Sequence, residues 1–194
     1  MPQEIEIKLR VDHFEALRRS LRRAGAKYNC TLLQTDRYLD TPAKTLMKRG
    51  GAMRLRVSKC LHYTAGPRDP RPQLTFKGKL GASKLTKQRK EIQTHLDHQE
   101  AILEILEALG FAPVLTVQKR RIVYKLGRCS VELDELPLIG RFVEIEGPDE
   151  PQVLAAAKRL GLIGQSILTS YVHLLMDHCR QAGLDKNEFV FEDE

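Results

Sequence analysis

Charged and apolar residues alternate with period two in segment after segment of this chain, which is the signature of β-strands with two distinct faces. Glu4, Glu6 and Lys8 share one face of a first strand, with Ile5, Ile7 and Leu9 on the other. Arg54 and Arg56 oppose Met53, Leu55 and Val57, and Thr75 and Lys77 oppose Leu74 and Phe76. Arg89 and Glu91 follow on one strand, and Lys119 and Arg121 on another. Glu132 and Asp134 alternate with Val131 and Leu133, then Glu144 and Glu146 with Val143 and Ile145. An exposed sheet face usually carries Thr, Ser, Gln and mixed charges. Here whole strands carry coherent acid pairs or basic pairs, which predicts a closed sheet with a charged interior and an apolar exterior.

Between these strands the 3.6-residue period marks helices. Asp12 and Glu15 have capping-box spacing before a stripe of Phe14, Leu17 and Leu21, and Gly25 ends that helix. Asp97 and Glu100 repeat the spacing before Ile102, Ile105, Leu106 and Leu109, with Gly110 as the stop. A long strand is expected over residues 27–39 and a short helical turn from Thr41-Pro42. A loop is expected from Ser58 to Pro72, and another around Gly78 and Gly81. Two further helices are expected over residues 149–160 and 170–181. Strand, helix and strands thus occur twice, suggesting two similar halves of one barrel. One domain over residues 1–184 is expected, with residues 185–194 as a frayed acidic tail.

Composition narrows the class. Charged residues make up 29% and hydrophobic ones 42%, as in a folded globular chain. No apolar run approaches the ~20 residues of a membrane helix, and the chain opens on a strand rather than a leader, so a cytoplasmic protein is expected. Cys30, Cys60, Cys129 and Cys179 lack the spacing of a disulfide framework or zinc site. The net charge of +7 favours anionic partners. Nucleic acid is disfavoured, because there is no Trp and no strand-borne aromatic platform. His95, His98, His173 and His178 read as surface or packing residues. Tyr171 fits either core packing or a tunnel mouth. Oligomeric state is not legible, and an apolar exterior stripe is compatible with a homodimer.

A cavity lined by both signs asks for a ligand with both. Buried ions without partners cost several kcal/mol each. Carboxylates two apart on one strand offer hard oxygens to Mg²⁺ or Mn²⁺, while guanidinium and ammonium groups suit phosphate oxygens. A metal-bound polyphosphate satisfies both sets. A sensor that binds nucleotide or polyphosphate without turnover is the competing expectation, though anion binding alone would not call for so many carboxylates.

Glu4-Ile5-Glu6-Ile7-Lys8 resembles the ExExK signature that opens the CYTH superfamily, the triphosphate tunnel metalloenzymes. The resemblance continues in order through Arg54-Leu55-Arg56, Leu74-Thr75-Phe76-Lys77-Gly78, Arg89-Lys90-Glu91 and Lys119-Arg120-Arg121. It runs on through Glu132-Leu133-Asp134 and Glu144-Ile145-Glu146 to Ser170-Tyr171 and the closing Leu174-Leu175. Gln34 to Asp40 is similar to the class IV adenylyl cyclase-like and thiamine triphosphatase branch. What the resemblance implies is an α+β fold, a closed antiparallel eight-stranded β-barrel with helices packed outside. It further implies a triphosphate in the tunnel (ATP, inorganic tripolyphosphate or thiamine triphosphate) on one or two Mg²⁺ or Mn²⁺ ions. Carried over, Glu4, Glu6, Glu132, Asp134, Glu144 and Glu146 are the implied metal ligands. Lys8, Arg54, Arg56, Lys77, Arg89, Lys119 and Arg121 are the implied phosphate clamp. Lys8, Glu91 and Asp134 are the implied catalytic groups. The sequence departs from the family pattern at Thr169, a position often basic, and in its Pro-rich 58–72 segment.

Overall fold

The computed structural model describes residues 3–63, 70–81, 86–162 and 164–192. Its strands are β1 (Gln3–Val11), β2 (Lys27–Asp40), β3 (Ala52–Tyr63), β4 (Gln73–Leu80), β5 (Lys87–His95), β6 (Ala112–Leu126), β7 (Cys129–Leu136), β8 (Gly140–Gly147) and β9 (Glu188–Phe189). Its helices are α1 (Phe14–Arg23), α2 (Thr45–Lys48), α3 (Gln99–Ala108), α4 (Glu150–Arg159) and α5 (Tyr171–Ala182). Neighbouring strands run in the order β2-β3-β4-β5-β1-β8-β7-β6, and β2 also pairs with β6. That last pairing closes an antiparallel eight-stranded barrel. Closure removes the sheet edges that an open sheet of this size would expose.

The outward faces supply the main apolar core. Ile7 of β1, Val131 and Leu133 of β7, and Val143 and Ile145 of β8 are buried beneath helices. Leu17 and Leu21 of α1, and Val153, Ala156, Ala157 and Leu160 of α4, cover them. A second cluster joins Leu175 and Cys179 of α5 to Leu115, Val117, Leu136, Ile139, Phe142 and Phe189. It seats α5 over one end of the barrel. α3 has no buried residue, and Ile105 (54%) and Leu109 (67%) of its apolar stripe stay exposed. No helix among the described residues is long and apolar enough to cross a membrane.

Several local expectations need correction. Neither capping box forms: α1 is capped by His13 and α3 by His98, both without a side-chain cap bond. β1 keeps the chain extended to Val11, and the Asp12 carbonyl accepts from Arg141, so Asp12 stands too early to cap. Asp97 lies one residue before the His98 cap, its carboxylate 3.1 Å from Arg71. α4 and α5 are capped by side chains, Asp149 accepting from the Gln152 amide and Ser170 from the His173 amide. The turn expected from Thr41 does form, the Lys44 amide donating to the Thr41 carbonyl at 2.8 Å, but the helix α2 itself begins at Thr45, where the Asp40 carboxylate accepts from the amides of Leu46 and Met47. The expected 58–72 loop is shorter, since β3 continues to Tyr63 against β2; its residues 64–69 lie outside the described residues. β4 likewise runs on through Gly78.

The tail expected to fray instead adds β9, parallel to β6 at Thr116 and Val117. β6 outruns β7, whose pairing begins only at Arg120, so this stretch of β6 offers a free edge. Phe189, 2% exposed, anchors the strand in the α5 cluster. Phe189→Ala is therefore expected to cost about 3 kcal/mol, within the range for buried Phe truncation. Urea unfolding followed by circular dichroism checks it.

Candidate active site

Residues directly opposite on paired strands share a face, so the register alone assembles the tunnel wall. Glu6 stands opposite Glu146 on one side and Lys87 on the other. Lys8 faces Glu144, which in turn faces Glu132. Arg121 faces Asp134, and Gln34 lies between Lys119 and Ser58. Asp36 faces Arg56, Arg54 faces Thr75, and Lys77 faces Glu91. Arg89 faces Glu4, whose side chain lies outside the described residues. The charges continue around one ring and line one cavity of about 1090 Å³.

Within this ring the two signs satisfy each other. Arg121 is the hub: its guanidinium donates to Asp134 at 2.6 and 2.5 Å, to Glu144 at 2.6 Å, and contacts Glu132. Arg56 grips Asp36 in a fork of 2.6 and 2.7 Å, with Arg54 at 3.5 Å from the same carboxylate. Lys87 donates to Glu6 at 2.5 Å, and Lys77 pairs with Glu91 at 2.9 Å. Lys8, 1% exposed, lies 3.4 Å from Glu144 and donates to the Thr169 carbonyl at 2.9 Å. Arg89 donates to the Gly78 carbonyl. Because cations intervene, no group of three or more His, Cys, Asp and Glu side chains forms a ready-made metal cage among the described residues.

Burial and neighbours tune these groups. Burial pulls the Lys119 ammonium down to about 8, helped by Arg121, although Asp134 opposes it. Burial likewise lowers Lys8 against the pull of Glu144. For Glu144 burial acts upward, but Lys8, Arg121 and Lys119 together outweigh it and hold the carboxyl well below its usual range. Glu132 goes the other way, raised by burial with the negative Asp134 and Glu144 beside it, against the pull of Arg121.

The depressed Lys119 has a stability consequence. Its charged form is disfavoured in the folded state, so the penalty is complete below pH ~8 and disappears as pH rises past the ordinary lysine value of about 10.4. Lys119→Met should therefore stabilise the free protein at pH 7, by roughly 3 kcal/mol at most for a shift of this size. The gain should shrink between pH 8 and 10. Paired denaturation curves across that interval check the sign.

Of the residues singled out in the sequence, Lys8, Arg54, Arg56, Lys77, Arg89, Lys119 and Arg121 all reach the cavity, as do Glu6, Glu91, Glu132, Glu144 and Glu146. Asp134 does not; it is 0% exposed behind Arg121, with both oxygens engaged. Asp36, Lys87 and the Thr169 carbonyl belong to the site without having been singled out. Asp36 shares the inward alternation of Gln34 and Tyr38, and Lys87 that of Arg89 and Glu91. The Thr169 carbonyl leaves no side-chain signal.

Known proteins share this architecture. The family model described as the CYTH domain matches residues 2–169. A protein of Methanocaldococcus jannaschii provisionally named an adenylate cyclase is 27% identical over 143 residues, 74% of this chain and 75% of its own length. A Vibrio parahaemolyticus structure, also provisionally named an adenylate cyclase, superimposes with a TM-score of 0.73 at 21% identity, covering 89% of this chain and 97% of that one. A Hippeastrum protein provisionally named an adenylyl cyclase superimposes with a TM-score of 0.65 at 19% identity, covering 94% and 97%; its structure is described as revealing a dominant triphosphatase activity.

Proposed function

The chain belongs to the CYTH domain family, and from that premise we propose that it is a divalent-metal-dependent enzyme acting on triphosphates. The observation that carries the proposal is the cavity whose wall sets a cationic arc, including Arg54, Arg56, Lys77 and Arg89, beside a carboxylate arc of Glu6, Glu144 and Glu146. In the free protein each arc is held by other protein groups, Arg54 and Arg56 by Asp36 and Lys77 by Glu91, Glu6 by Lys87 and Glu144 by Lys8 and Arg121. A polyanion together with a divalent cation would let each arc exchange its protein partner for a ligand of opposite charge, leaving no buried ion alone.

The carboxylate oxygens of Glu6, Glu144 and Glu146, with Glu132 of β7 and with Glu4, which precedes Glu6 on β1, suit Mg²⁺ or Mn²⁺. When bound, such an ion would neutralise phosphate oxygens and make the phosphorus more electrophilic. Lys8, Arg54, Arg56, Lys77, Arg89, Lys119 and Arg121 hold the phosphate chain and offset charge that develops on the leaving oxygens. Glu91 and Asp134 orient Lys77 and Arg121 as positioning residues. Asp36 does the same for the Arg54–Arg56 pair.

Two reactions suit this site. In hydrolysis, water attacks the terminal phosphorus of inorganic tripolyphosphate, thiamine triphosphate or ATP, and the bond to the remaining diphosphate breaks. In cyclisation, the ribose 3′-hydroxyl of ATP attacks the α-phosphorus and diphosphate leaves. Which phosphorus reacts depends on how the triphosphate lies along the tunnel. Chromatographic resolution of the products from ATP decides between them: ADP and orthophosphate mark a triphosphatase, cyclic AMP and diphosphate a cyclase. Intact ATP, tripolyphosphate and thiamine triphosphate after prolonged incubation with either metal would sink the proposal.

A further inference from the structure

The first turn of α5 closes over one end of the tunnel, and Tyr171 is the aromatic side chain it contributes to the wall there. Its ring packs edge-on against Phe142, with centroids 5.1 Å apart. The Lys8 ammonium sits over the same ring, 4.1 Å from its centroid, and the Lys119 ammonium lies at 5.4 Å. All of these contacts use the ring. The hydroxyl oxygen is shielded from solvent and has no hydrogen-bond partner among the described residues.

That vacancy is unusual, because a buried tyrosine hydroxyl nearly always finds a partner and leaving it without one is destabilising. It also coincides with two others. Gln34 Oε1 and Arg54 Nε are likewise buried and unpartnered, and both residues line the same cavity. Burial, with Asp134 and Glu144 nearby, raises the phenol well above its ordinary pKa, so at neutral pH the group is a proton-bearing donor. The arrangement of a ring beneath two ammoniums, with a spare donor beside them, fits an anionic oxygen, which in a triphosphate tunnel is a phosphoryl oxygen. A cation would be repelled by Lys8 and Lys119, and an apolar group would leave the hydroxyl unsatisfied.

We propose that Tyr171 is a phosphate-contacting residue, its hydroxyl donating a hydrogen bond to the phosphoryl group that lodges beside Lys8 and Lys119 at the α5 end of the tunnel. This rests on the triphosphate reading of the site and adds a contact supplied by the closing helix rather than by the barrel. α5 thereby becomes part of the binding machinery. A hydrogen bond between a neutral donor and a charged acceptor of this kind is worth about 10- to 100-fold in affinity.

The test compares the wild-type protein with Tyr171→Phe, which keeps the ring, its packing and its contacts with both lysines. Calorimetric titration with sodium tripolyphosphate in the presence of Mg²⁺ gives Kd, and thermal unfolding of the free protein gives Tm. The expected result is a Kd at least about tenfold weaker, with the free protein's Tm unchanged or higher because an unsatisfied buried hydroxyl has gone. A Kd within twofold of wild type would overturn the assignment. So would a weaker Kd accompanied by a lower free-protein Tm, which marks a structural role. If the wild type itself binds neither tripolyphosphate nor ATP, the triphosphate reading fails first and this assignment with it.

Discussion

Arg121→Met is expected to lower stability by about 3–5 kcal/mol and to abolish turnover of triphosphates. Arg121 holds both oxygens of Asp134, one oxygen of Glu144 and the carboxylate of Glu132. Asp134 is 0% exposed, so removing the guanidinium leaves its charge in the wall with Lys119, at 3.3 Å, as its cation among the described residues. Breaking one side of a buried pair is far more costly than never having had it. Arg121→Met combined with Asp134→Leu removes the most deeply buried of the three carboxylates and should recover part of the lost stability, Glu132 and Glu144 still lacking the guanidinium, while activity stays absent. Arg121→Lys keeps the charge but cannot reproduce the fork, so it should fall between the two. Urea unfolding and phosphate-release rates measured on the three variants separate the structural effect from the functional one. An Arg121→Met protein as stable as wild type would mean that Asp134 is not buried as an ion.

The second large effect concerns the metal. Glu6 and Glu146 stand directly opposite on β1 and β8 and both line the cavity. Two like charges in that position repel, which is favourable only with a cation to bridge them. Glu6 spends its carboxylate on Lys87 in the free protein, a bond that an amide oxygen can still accept. Glu6→Gln with Glu146→Gln should therefore fold normally. The Mg²⁺ or Mn²⁺ concentration for half-maximal turnover should rise at least about tenfold, on the scale seen when metal sites lose supporting groups. An unaltered metal titration would move the ligands elsewhere in the ring.

Much of this architecture was legible in the sequence because the barrel obeys one local rule. The alternation of Glu4-Glu6-Lys8 against Ile5-Ile7-Leu9 announces which side faces in, and the same rule places Arg54, Arg56, Lys119 and Arg121 on that side. Their order along the chain carries the family resemblance. What local pattern cannot show is pairing between distant strands. That Arg121 would gather Asp134, Glu132 and Glu144 follows from the β6–β7–β8 register, which depends on closure of the whole sheet. Glu132 and Asp134 share a face, yet one reaches the cavity and the other lies sealed behind Arg121, a difference of depth that period two does not encode. The capping boxes at Asp12 and Asp97 failed because both helices begin one residue later than the spacing implies, with His13 and His98 at the caps, a shift that a local preference worth about 1 kcal/mol does not prevent. The tail reads as acidic, but Phe189 in the α5 cluster, Phe191 against Arg120 and Gln118, and backbone pairing to the free edge of β6 together dock it.

The central claim is that one tunnel grips phosphates and a divalent ion together. The most direct test is the initial rate of orthophosphate release from inorganic tripolyphosphate, with Mg²⁺, with Mn²⁺ and with excess chelator. The account predicts release with at least one of the two ions, none with chelator, and restoration when metal is added back. Saturable tripolyphosphate binding without release under any of these conditions, and equally without turnover of ATP or thiamine triphosphate, would contradict it and leave a binding module in its place.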